Sequence, residues 1–105
     1  MTLDQIRKNP VFLSGAVVKT YQNNEAFQDT ISKILERFYS GDFGAIPPED
    51  MAANVSDLSY SQGRIVARYT EADGLPEDVY IIAYFCEDNS GVDYNYTSIL
   101  YTTDY

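Results

Sequence analysis

The chain has 105 residues, 45 % hydrophobic and 14 % aromatic, which suits one globular domain over 1–105 and excludes a disordered acidic tail. Its net charge is −9, from sixteen acids against seven bases, with no histidine. That balance disfavours direct binding to nucleic acid or membrane phosphate, and the missing imidazole removes the commonest general base and every Ser–His or Cys–His nucleophile pair.

In chain order, Thr2 is a candidate N-cap for a short helix with Leu3 and Ile6 on one face, ended by Pro10. Val11–Tyr21 is β-branched and aromatic and predicts a first strand, with Gly15 as a bend or bulge. The clearest helix follows. Asn23 or Asn24 caps it, and Phe27, Ile31, Ile34, Leu35 and Phe38 recur at helical spacing on one apolar face until Gly41. Gly41-Asp42-Phe43-Gly44 predicts a tight turn; its likeness to a kinase metal-binding tripeptide lacks every companion motif. Pro48 suits the first position of a second main helix, with Glu49 and Asp50 in its first turn and Met51, Val55 and Leu58 inward, and Gly63 stops it.

From Arg64 the period changes to two. Arg64–Thr70, the apolar run Val79–Cys86 and Tyr96–Thr102 predict three strands with hairpin-length links. The expected architecture is α+β: an antiparallel sheet, made of a three-strand C-terminal meander plus the N-terminal strand, packed by two main helices. A Tyr-rich final strand left as an exposed edge would allow a homodimer.

Little here carries chemistry. Cys86 is alone and reads as a small buried thiol. The loop around Asp88-Asn89-Ser90-Gly91-Val92-Asp93 lacks the ligand spacing of a calcium loop. No catalytic residue, metal site or cofactor is expected. The N-terminal segment has no apolar run behind its charges, and no stretch approaches about 18 apolar residues, so a cytoplasmic location is expected rather than a secreted or membrane-spanning one.

What remains is surface. Residues 42–105 hold twelve acids against Arg64 and Arg68 alone, an excess of −10. Ten of these acids fall in three groups: Asp73, Glu77 and Asp78; Glu87, Asp88 and Asp93; and Asp42, Glu49, Asp50 and Asp57 around the second helix. Ordinary solubilising acidity is the plain alternative to a binding surface.

The order of motifs from Gly15 to Tyr105 resembles a family of small accessory proteins of plasmids, phages and other mobile elements. The resemblance rests on Gly15-Ala16-Val17, Phe27, Gly41-Asp42-Phe43-Gly44, Glu49-Asp50 with Asn54, and Gly63-Arg64 through Tyr69. It continues with Tyr80-Ile81-Ile82, Thr97 through Tyr101, and Asp104-Tyr105. Phe43 stands where the family has Trp, and the 87–95 loop is longer and more acidic. The resemblance implies counter-defence: an anti-CRISPR protein inhibiting a basic host nuclease, an RNA-guided effector such as Cas9, through acidic surface. The expected contact residues are Glu49, Asp50, Asp73, Glu77, Asp78, Glu87, Asp88 and Asp93. The alternatives are an anti-restriction or other accessory protein with a non-nuclease partner, and a carboxylate-based metal binder.

Overall fold

The computed structural model describes residues 1–88 and 94–105, so Asn89, Ser90, Gly91, Val92 and the expected contact residue Asp93 lie outside the described residues. The fold is α+β. Helix α1 (Leu3–Ile6) opens on a capping box in which Thr2 and Gln5 satisfy each other's backbone N–H groups. Strand β1 is only Val11–Leu13. The expected strand to Tyr21 does not form, because Ser14 accepts the N–H of Val17 and caps a helix, α2 (Gly15–Tyr21). Val17 on that helix is fully buried; its burial, worth about 1.5–3 kcal/mol, outweighs the few tenths that a β-branched residue costs in a helix.

Helix α3 (Glu25–Tyr39) forms as its spacing requires, capped by Asn24 through a hydrogen bond from Phe27 N. Phe27, Ile31, Ile34 and Phe38 are buried against the sheet, while Leu35 packs at the margin. Helix α4 (Pro48–Tyr60) begins at Pro48 and ends at Ser61, whose left-handed conformation closes it, rather than at Gly63. Its inner face also differs from expectation. Met51 and Val55 are exposed, at 40 % and 60 %, and the buried residue is Asn54.

Strands β2 (Gln62–Tyr69), β3 (Val79–Cys86) and β4 (Tyr96–Tyr101) form the expected antiparallel meander. The sheet order is β1-β4-β3-β2, and β1 runs parallel to β4, so the sheet is mixed and not purely antiparallel. Strand β4 is therefore internal, flanked by β1 and β3, and the exposed-edge condition for a homodimer is not met there. Ile65, Ala67, Tyr69, Val79, Ile81, Ala83, Phe85 and Ile99 point to the helices and are buried. Among the described residues the core cluster uses this face of the sheet alone, while Ile82 is buried on the opposite face.

The outer edge of β2 is closed by unusual means. The side chain of Asn54 donates to Val66 O at 2.9 Å and accepts from Val66 N at 3.0 Å, so one buried amide stands in for a neighbouring strand. On either side, Asp57 accepts the N–H of Arg64, while Phe43 O and Ala45 N bond the backbone of Arg68. Three of the four outward positions of the strand, Arg64, Val66 and Arg68, thus have partners, which covers most of an edge otherwise open to pairing.

Candidate functional site

The acidic side chains sort by whether a cation or a backbone donor already holds them. Arg37, in the last turn of α3, places Nε 2.8 Å from Asp42 and Nη1 2.5 Å from Asp73, while its guanidinium lies 5.0 Å from the centre of the Tyr69 ring. Tyr69 donates its hydroxyl to Asp42 O at 2.6 Å, and the second Asp42 oxygen accepts from Gly44 N. Asp73 also accepts the Thr70 N–H. Arg37 holds the Asp42 carboxyl below its ordinary value of 3.8, with help from Gly44 N–H. The Asp73 carboxyl is lowered first by the Thr70 N–H and then by Arg37. Burial pushes the Tyr69 hydroxyl well up, so it stays a donor at any ordinary pH.

These depressed carboxyls stabilise the fold fully above their unfolded-state value. That contribution is lost as pH falls through the lower folded values. Unfolding free energy should therefore drop on acidification from pH 5 towards pH 2, and Arg37→Gln should flatten that drop. Urea denaturation at several pH values measures it; parallel curves for both proteins would remove the clamp from the account.

Asp78 is likewise held. Arg68 Nη2 and Nε lie 2.5 and 3.1 Å from its Oδ2, across the β2–β3 connection. Asp57 serves the Arg64 N–H. Among the expected contact residues, Asp73 and Asp78 are thus structural members of ion pairs. Among the described residues, Glu77 is met by the Thr103 hydroxyl alone, at 3.3 Å. Glu49 and Asp50 stand exposed in the first turn of α4, and Glu87 and Asp88 are exposed just beyond β3.

Placement follows from topology. Helix α4 runs antiparallel to β2, with Asp57 at Arg64 and Asn54 at Val66, so Glu49 and Asp50 sit toward the Arg68 end. That is also the end where β3 starts, next to Glu77 and Asp78. Glu87 and Asp88 leave the other end of β3, roughly 23 Å away at 3.3 Å per residue. The structure therefore brings Glu49 and Asp50 of the helix group together with Glu77 and Asp78 of the first loop group, separates Asp57 from both, and assigns Asp42 and Asp73 to the Arg37 clamp. Two acidic ends result, and Asp93 lies outside the described residues.

A second surface was not anticipated. Tyr80, Ile82 and Tyr84 of β3 share the helix-free face with Arg64 and Val66 of β2, Tyr96 and Leu100 of β4, and Phe12 of β1. Tyr84 stacks on Tyr96 at 4.8 Å, Phe12 meets Tyr96 edge-on at 6.1 Å, and Tyr105 meets Tyr80 edge-on at 5.4 Å. Between this face and α4 lies a shallow cleft of about 190 Å³, floored by Val66 and Ile82, with Tyr80 and Tyr105 as walls and Arg64 and Asp50 facing it. Arg64 donates to the Tyr105 hydroxyl. The signal for this face was the Tyr–x–x–x–Tyr spacing in β3: an apolar run covered on both sides would not place tyrosines at every other outward position.

Cys86 is half-buried rather than a core thiol. Among the described residues no group of three His, Cys, Asp or Glu side chains could hold a metal ion, and no helix is long and apolar enough to cross a membrane. Comparison with known families, curated proteins and solved structures finds no match to this chain.

Proposed function

We propose that the chain is a stoichiometric inhibitor of a host defence nuclease, an RNA-guided effector such as Cas9, which it binds in the cytoplasm on a basic surface meant for nucleic acid. One observation carries this reading. After ion pairs are subtracted, exposed carboxylates remain at both ends of one rigid sheet: Glu49, Asp50 and Glu77 at one, Glu87 and Asp88 at the other. Their separation, roughly 23 Å, equals about seven base-pair steps of DNA at 3.4 Å per step. A channel lined with Arg and Lys to hold a heteroduplex offers complementary charge over such a length. The resemblance to mobile-element accessory proteins supplies the class of target.

The test is a pull-down from a host carrying CRISPR and restriction systems, followed by a cleavage assay with the recovered nuclease. Glu87→Lys with Asp88→Lys, and Glu49→Lys with Glu77→Lys, should each raise the inhibitor concentration required at least tenfold, while exposed substitutions leave stability within about 0.5 kcal/mol. Inhibition by the parent chain should weaken steeply with salt. Salt-independent inhibition that survives both double reversals would sink the acidic-contact reading.

A further inference from the structure

We propose that the helix-free face of the sheet is a two-fold interface between two copies of this chain. The argument starts from the charges of the cleft. Three of the four arginines hold a carboxylate: Arg7 on Glu36, Arg37 on Asp42 and Asp73, and Arg68 on Asp78. Arg64 does not; among the described residues its partners are tyrosine hydroxyls, although the chain carries sixteen acids. Asp50 lines the same cleft and makes no ion pair with Arg64 or any other described residue. A patch with one unpaired cation and one unpaired anion is complementary to itself. In an isologous pair, Arg64 of each copy meets Asp50 of the other, and both pairs form at once.

The surroundings suit such a contact. Phe12 and Tyr105 are 47 % and 65 % exposed, and half-buried Tyr80, Tyr84, Tyr96 and Leu100 fill the space between. Tyrosine and arginine at the centre of an apolar patch are the residues that dominate association energies. Four strands of three, six, eight and eight residues cover on the order of 400 Å² in projection. Ring corrugation and the flank of α4 carry this toward the roughly 600 Å² per partner at which specific interfaces begin. The dimer is therefore weak and concentration-dependent. It shares Asp50 with the proposed inhibition but leaves Glu49, Glu77, Glu87 and Asp88 outside the interface, so the two are tested by different substitutions.

Sedimentation velocity over a wide concentration series reads it directly. The parent chain should shift from monomer to dimer. Arg64→Asp and Asp50→Arg should each weaken dimerisation about tenfold or more, since each puts two like charges opposite one another. Mixing these two variants should restore the dimer, because Arg64 then meets Asp50 and the two introduced charges meet each other. Restoration also shows that both variants are folded. A parent chain that stays monomeric throughout overturns the proposal, as does a dimer indifferent to either reversal or a mixture that fails to recover.

Discussion

Replacing Asn54 by alanine is expected to lower the unfolding free energy by about 3 kcal/mol. In a domain of this size that corresponds to roughly 15 °C in melting temperature. The side chain is 2 % exposed and makes both hydrogen bonds that a neighbouring strand would give to Val66. Losing two such bonds costs on the order of 1 kcal/mol each, and leaving a buried N–H and C=O unpaired adds about 1–3 kcal/mol. Aspartate should be no better: it keeps the acceptor for Val66 N, loses the donor for Val66 O, and buries a charge without a cation. Val55→Ala, on the next residue, should change stability by under about 0.5 kcal/mol, because Val55 is 60 % exposed. Thermal unfolding of the three variants measures the contrast. A loss at Asn54 no larger than that at Val55 would mean that water or a shifted α4 takes over the edge.

The same edge shows how far the sequence could be read. Helix α3 was legible because Phe27, Ile31, Ile34 and Phe38 repeat at 3.6 residues, and tertiary structure had no reason to override that pattern. The β2–β3–β4 meander was legible from alternation and turn residues. Val11–Tyr21 was not, because β-branched residues favour a strand locally while Ser14 and the burial of Val17 decide for a helix. Strand β1 pairs with β4 across more than eighty residues, and no local signal carries a parallel partner that distant. The acids illustrate the same limit. Asp73 is claimed by Arg37, thirty-six residues earlier, so sequence counts it as surface charge when it is half of an ion pair. In the sequence Asn54 is marked only as part of the resemblance, and the register of α4 on β2 is what gives it a role. Conversely, the tyrosine face was readable from outward positions of β3, had the apolar run been divided into its two sides.

Gly44→Ala is expected to cost about 3–5 kcal/mol, more than the left-handed backbone alone requires. Gly44 has φ +70, and a Cβ there would stand 2.1 Å from the carbonyl oxygen of Arg68, a backbone atom held in the sheet. Something must move. The segment cannot simply retreat, because Phe43 O and Ala45 N are bonded to Arg68 and the Phe43 ring is buried 5.6 Å from Phe38. Displacement would open the edge of β2, loosen an aromatic pair and strain the Tyr69 hydroxyl contact to Asp42 O. Gly41→Ala is the matched comparison. It also has positive φ, at +93, yet its Cβ would meet only Leu3 Cδ1 at 3.6 Å, an ordinary contact. It should therefore lose about 1–2 kcal/mol, the backbone term by itself. Urea denaturation of both variants separates conformational cost from steric cost at two ends of one turn. Equal losses would show that residues 43–45 relax away from Arg68 together, and that Asn54 and Asp57 alone keep the edge of β2 closed.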